Sequence, residues 1–233
     1  MGSAQQYIDI FNQCRDMICK HSSALMNSKR DEAFEAFQRV GFPTKKVERY
    51  KYTDIEALFA PNYGLNLNRF DIPVNPYDAF KCDVPNMSTS LYFVVNDAFY
   101  KKALPKAELP EGVFVGSLAD FSDHAAFGKV SAMYCQLADD EDAITSLNTM
   151  LAQDALLIYF PKGVKVDRTL QVINILRSDV DLMVNRRVLI YLEDRADARI
   201  LFCDHAADDR NFLTTQVVEV MVGDGAHLDM TCL

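Results

Sequence analysis

No apolar run in this chain approaches the roughly 18 residues that a membrane-spanning helix needs, so no membrane partner is expected. The opening residues, MGSAQQYIDIFNQC, lack the basic segment followed by an apolar one that marks a secretory leader, and none is expected. Cationic side chains are in the minority. Lys and Arg number 24 against 33 Asp and Glu, a formal net charge of −9. Such a chain is a poor ligand for nucleic acid, whose phosphates need clustered Lys and Arg. No C-x-x-C occurs, and in a chain this long without a leader the six cysteines do not read as a disulfide framework. Reduced thiols and a cytoplasmic location are the expectation. Also absent are G-x-x-x-x-G-K-[ST], G-x-S-x-G and H-E-x-x-H, so no catalytic residue is assigned and the chain is not expected to be an enzyme.

What is present is a globular balance: 49% apolar and 24% charged residues, over a length that suits one large domain or two smaller ones. Residues 1–60 read as a helical region. Ser3 with Gln6 predicts a capping box, followed by an apolar stripe of Tyr7, Phe11, Cys14, Ile18 and Leu25. Ser28 is a candidate cap for a second helix carrying Ala33, Phe34, Phe37 and Val40, which Gly41 and Pro43 end. Thr53 with Glu56 predicts a third, short helix.

Residues 61–154 read as a proline-rich connection. Seven of the eight prolines lie between 43 and 110, which excludes a long helix there. Leu91–Val95, Asn96-Asp97 and Ala98–Tyr100 predict a hairpin, and Gly112–Val115 a further strand. Ser117 is a candidate cap for a helix ending near Gly128, and Asp139 for one burying Ala143, Ile144, Leu147, Met150 and Leu151.

Residues 155–233 contain three similar stretches: LLIYFPKGVKV, VLIYLEDRADARI and VVEVMVGDGAHLDM. Each is an apolar strand, a polar turn, and an alternation that restarts at Val164, Ala196 and Ala226, intervals of 32 and 30 residues. Strands repeating at about thirty residues without helices between them point to a solenoid or a sandwich rather than a doubly wound sheet. The chain stops on such an alternation, so it is expected to be part of a longer protein.

Four clusters invite a chemical reading. Cys203 and His205 share one face of a strand and could offer sulfur and nitrogen to a metal, but no second ligand pair matches them; the expectation is a structural cysteine and a surface histidine. Cys14 and Cys19 lie about 140° apart on a helix and cannot clamp one ion. The stretch TKKVERYKYT (44–53) is a basic patch with interleaved tyrosines, read as a solvated segment because no second basic element extends it. Asp139–Asp142 lacks the pattern of a calcium loop and reads as acid at a helix N-terminus. His21, His124 and His227 stand alone. No metal or cofactor site is assigned to the chain.

Ala33–Asp54, AFEAFQRVGFPTKKVERYKYTD, resembles the N-terminal signature of the SufD group of SufB/SufD proteins, subunits of the SUF iron–sulfur cluster assembly machine. Gly41, Phe42, Pro43, Thr44, Glu48, Lys51, Tyr52 and Thr53 carry it, and Tyr50 stands where the family more often has Trp. LYFVVNDAF, LPEGVFVGSLADF and RRVLIYLEDRADARI continue the likeness in order. The SufB subunit shares the later segments but generally lacks G-F-P-T…E-R-Y-K-Y-T. The resemblance implies a helical N-terminal region followed by a right-handed parallel β-helix, of which the chain holds the opening part. It implies a non-catalytic scaffold whose partners are a SufB-like subunit and a SufC-like ABC-type ATPase; apart from the resemblance, a homodimer of the chain is left open. The cluster belongs to the assembled complex, and the family's cluster residues fall beyond Leu233. The alternatives are a SufB-type scaffold, a β-solenoid enzyme acting on carbohydrate, and a metallochaperone using Cys203 and His205.

Overall fold

In the computed structural model, residues 2–80, 89–138 and 141–233 are described. Helix α1 (Ser3–Lys20) buries Tyr7, Phe11 and Ile18, with Cys14 packed beside them. Ser3 does not cap it. Gly2 holds the cap position, the Ser3 N–H donates to the Glu56 carboxylate, and the Gln6 amide donates to the Phe59 carbonyl. The Thr53–Glu56 box is likewise replaced. Asp54 caps α4 (Ile55–Phe59) by accepting from the Ala57 N–H at 3.1 Å. A carboxylate delivered by tertiary folding satisfies the positive end of α1 better than a local hydroxyl.

Leu25 lies off the α1 stripe because the chain breaks into α2 (Ala24–Asn27), capped by Ser23. Ser28 does not cap α3 (Arg30–Val40); its hydroxyl donates to the Leu25 carbonyl at 2.7 Å. Gly41, at φ 62°, ends α3 as expected. Between α4 and Thr89 the described residues form one short helix, α5 (Pro76–Ala79). Ser117 caps only a 3-10 turn, Leu118–Phe121, and the predicted longer helix is split, resuming as α6 (Phe127–Met133). Helix α7 (Ala143–Leu151) is capped by Asp142, whose Oδ1 accepts from the Ile144 and Thr145 N–H groups at 2.9 and 3.0 Å. Asp139, the expected cap, lies outside the described residues.

The strands form two sheets. One has the order β3-β4-β6-β8, the other β2-β1-β5-β7-β9. The ranges are β1 (Thr89–Val95), β2 (Ala98–Phe99), β3 (Phe114–Ser117), β4 (Leu156–Phe160), β5 (Thr169–Leu176), β6 (Leu182–Leu192), β7 (Asp197–Ala206), β8 (Phe212–Val222) and β9 (His227–Cys232). From β4 onward, successive strands enter alternate sheets, and from β6 onward each lies parallel to the strand two before it. Leu156 pairs with Val188 and Val188 with Val218, so the sequence intervals of 32 and 30 are ladder intervals. The hairpin of β1 and β2 forms as predicted. Strand β1 also runs parallel to β5, Thr89 opposite Thr169, which places it in a sheet with strands of the C-terminal segment.

The core between the sheets follows the two-residue period of a strand. Ile158, Phe160, Val172, Val188, Ile190, Leu192, Ile200 and Phe202 point inward. The alternate residues need other cover. Leu157, Tyr159 and Leu189 pack against α6 and the turn at Leu118–Phe121. Met183 and Leu213 lie under α1, α3, α4 and α7. Ile173, Leu201 and Cys203 are covered by Val74, Ala79 and Phe80. The architecture is thus mixed: helices on the outside of mainly parallel sheets.

Three turns stack at one corner. Gly163, Arg195 and Gly225 hold the equivalent left-handed position, at φ 74°, 60° and 65°. The Gly163 N–H reaches the Asp194 carbonyl and the Arg195 N–H the Asp224 carbonyl, at 2.9 and 3.0 Å. A Cβ at Gly223 would stand 2.6 Å from the Asp194 nitrogen, so the third turn closes on the second only without a side chain. Arg195 bears a left-handed strain of roughly 1–2 kcal/mol that its glycine counterparts avoid. Arg195→Gly is expected to raise stability by roughly 0.5–1 kcal/mol after the entropy of the added glycine is counted. A lower urea midpoint for the variant would contradict this.

Candidate functional site

Cys203 and His205 do share the outer face of β7. Cys203 is buried with Gln171 Nε2 3.4 Å from its sulfur, and the His205 ring meets Phe80 edge-on at 5.6 Å. Asp204 pairs instead with Arg186, and Asp208 accepts from the Ser178 N–H and from Arg177. Among the described residues no group of three His, Cys, Asp or Glu side chains is placed to hold a metal. Cys14 packs in the helical core. His124 stacks on Phe121 at 4.2 Å, and His227 is exposed at the start of β9. Cys82 lies outside the described residues.

The basic stretch and the acidic stretch meet each other. Arg39 grips Glu141 through two hydrogen bonds of 2.8 and 3.0 Å. The Tyr50 hydroxyl donates to Asp142 Oδ2 at 2.6 Å, and Arg49 donates to the same oxygen at 2.9 Å. Lys45 pairs with Asp54 and Lys51 with Glu48. Burial alone would push the Asp142 carboxyl up; the bonds from Tyr50, the Thr145 and Ile144 amides and Arg49 outweigh it and hold it low. Burial and the neighbouring Asp142 push Tyr50 up to about 12. Tyr52 is 91% exposed and stacks on no base-binding platform, only under the Lys51 ammonium at 5.5 Å. Lys45, Arg49 and Lys51 of the patch are therefore paired with carboxylates, and Arg49 and Tyr50 tie the N-terminal region to the start of α7.

The sequence reading singled out none of the residues that form the most buried charged cluster. Arg187 and Glu219 face each other from β6 and β8 at 2.6 Å, both side chains fully buried. Glu219 also accepts from the N–H groups of Cys135, Gln136, Leu137 and Ala138 at 3.0–3.3 Å. Cys135 takes φ 58° to bring them there. Arg187 donates to Thr149 Oγ1 at 2.9 Å, lies 3.3 Å from the Cys135 sulfur, and sits over the Tyr134 ring. Burial pushes Glu219 up, but Arg187 and the amides bring it below the ordinary carboxylate range. Burial pushes the Cys135 thiol up against the pull of Arg187. The available signal was an Arg pair opening the apolar run RRVLIYL, matched by a lone Glu in VVEVMV.

Nearby, Asn148 of α7 donates to the Arg186 carbonyl at 2.9 Å and to Thr215 Oγ1 at 3.0 Å, fixing the helix across two strands. Arg30 of α3, fully buried, donates to the Met150 carbonyl at 2.9 Å at the end of α7. Strands β8 and β9 each have one sheet neighbour among the described residues. Val218, Val222 and Met230 are exposed there, so this end presents both unpaired backbone and apolar side chains. That surface is suited to continued strand pairing. No helix among the described residues is long and apolar enough to cross a membrane.

A family model described as the SufBD protein N-terminal region matches residues 1–172. The chain is 23% identical over 217 residues to Protein ABCI7, chloroplastic, of Arabidopsis thaliana, covering 89% of this chain and 44% of that protein. It is 19% identical over 221 residues to an iron-sulfur cluster assembly SufBD family protein of Synechocystis, covering 91% and 48%. The chain spans less than half the length of these relatives.

Removing one partner of the buried pair leaves the other uncompensated. Glu219→Ala is expected to destabilise the fold by about 3–5 kcal/mol, and Glu219→Gln by less, because an acceptor remains for the amides. Chemical denaturation measures both; a loss below about 1 kcal/mol for the alanine variant would count against the clamp. Asp154 supplies a pH test. Burial pushes its carboxyl up to about 6, despite bonds of 2.8 Å from the Ser117 hydroxyl and the Ala155 N–H. Its folded value lies above its unfolded value near 3.9, so the protonated form favours the fold. That contribution is present at low pH and is lost as pH rises from about 4 to about 7, a change of roughly 3 kcal/mol. Asp154→Asn does not titrate. Its stability relative to the parent should therefore improve over this window and level off above it, as followed by urea midpoints.

Proposed function

The chain belongs to the SufBD family, and from that premise we propose that it is the N-terminal part of a non-catalytic scaffold in iron–sulfur cluster assembly. The observation that carries the reading is the match of residues 1–172 together with strands that stack at intervals of about thirty residues beyond it. A scaffold needs a stiff body more than a reactive centre. Strands that bond to neighbours on both sides, with helices fastened to their outer faces, supply one.

The stacking reads as the opening of a right-handed parallel β-helix that continues from the free edges of β8 and β9. In this reading the SufD type is favoured over SufB, on G-F-P-T and E-R-Y-K-Y-T at residues 41–44 and 48–53. The partners are a SufB-like subunit, joined through the later β-helix, and a SufC-like ABC-type ATPase. The cluster is cargo of the assembled complex rather than a group resident on residues 1–233. The name of the Synechocystis relative supports the assembly role. The six cysteines, without a C-x-x-C, support a reducing compartment such as the cytoplasm.

Affinity capture of the full-length protein from its own cells tests this. Recovery of an ABC-type ATPase and a SufB-like subunit is the expected result, and recovery of neither removes the proposal.

A further inference from the structure

We propose that the cleft between α3, α7 and residues 135–138 binds a small oxyanion of the phosphate class. The cleft has a volume of about 290 Å³, and Lys29, Cys135, Thr145, Thr149 and Arg187 line it. Arg187 lies at its floor, donating to Thr149 Oγ1 at 2.9 Å, and behind the lining Arg30 donates to the Thr149 carbonyl at 3.3 Å. Arg30 is 0% exposed and Arg187 2%. Of the two, Arg187 has a carboxylate among its hydrogen-bond partners and Arg30 has neutral acceptors. Glu219 pairs with Arg187, whereas the remaining acceptors of Arg30 are the Met150 carbonyl, Ser22 Oγ and Asn27 Oδ1, all neutral. Arginine does not shed its proton in proteins, so this interior holds two positive charges and one negative. A guanidinium taken out of water calls for an anionic partner as well as hydrogen bonds.

A second observation points the same way. Nε of Arg187 is buried without a hydrogen-bond partner. Around the floor, the lining is rich in donors: the hydroxyls of Thr145 and Thr149, the Gln136 amide and the Lys29 ammonium. The carboxylate at the rim, Glu32, pairs with Lys29 at 3.2 Å. The wall offers no aromatic ring, and its aliphatic side chains are Ala33 and Ala138. A nucleoside would find nothing to stack on, whereas a compact inorganic oxyanion needs only donors and charge. The inference does not rest on the scaffold reading.

Cys135 serves as a reporter in the same cleft. The full chain is alkylated with iodoacetamide in inorganic phosphate or in chloride at equal ionic strength, and the rate at each thiol is read by peptide mass. Saturating phosphate should slow Cys135 about tenfold and leave the exposed Cys232 unchanged, while the melting temperature rises with phosphate concentration. The rim variant Lys29→Gln with Thr145→Val spares the buried charges and should lose most of that protection. Equal Cys135 rates in phosphate and chloride, equal slowing of both thiols, or full protection in the rim variant would each overturn the proposal.

Discussion

Parallel pairing between strands about thirty residues apart leaves each strand without a local partner and with two faces to cover. That constraint orders the rest of the molecule. One face of each strand turns toward the opposite sheet and forms the inner core. The other must be met by something outside, and the helices before β4 do this for the four-stranded sheet. The chain between α4 and β3 does it for part of the five-stranded one, through Val74, Ala79, Phe80 and the residues after β2. The N-terminal region is therefore part of the same packing problem as the sheets, and its helices need not be stable alone.

Polar groups fasten these layers where apolar contact would allow sliding. Asn148 spans β6 and β8 from α7, Arg30 holds the end of α7 to α3, and Glu219 gathers four backbone amides over β8. Each is a buried group whose partners come from distant parts of the chain. Hydrogen bonds of this kind add modest net stability, but a wrong register would leave them unmade and costly. They select one placement of the helices on the sheets.

The strands and their spacing were legible because apolar alternation and turn residues are local signals. Val164, Ala196 and Ala226 marked the repeat that the ladder then realised as Lys165 opposite Asp197 and Asp197 opposite His227. The Cys203–His205 spacing correctly placed both on one face. Helix caps were read less well. Ser3, Ser28 and Thr53 are plausible caps by local chemistry, but Glu56 and Asp54 take the roles of Ser3 and Thr53, the first from fifty-three residues away, and α3 has Lys29 at its cap position without a side-chain cap. The parallel partner of β1 and the Arg187–Glu219 pair were illegible for the same reason: neither has a partner within its own stretch. An isolated Glu in a strand looks like a solvated residue until the loop that closes over it is known. The basic and acidic stretches, weighed separately as surface features, turned out to answer each other.

The spacing between the second and third turns is governed by an atom that Gly223 does not have. With a Cβ there 2.6 Å from the Asp194 nitrogen, one of the two turns would have to move away from the other. A single methyl group would thus act as a wedge between them. How closely β6 and β8 approach at this corner is inherited from that one empty position.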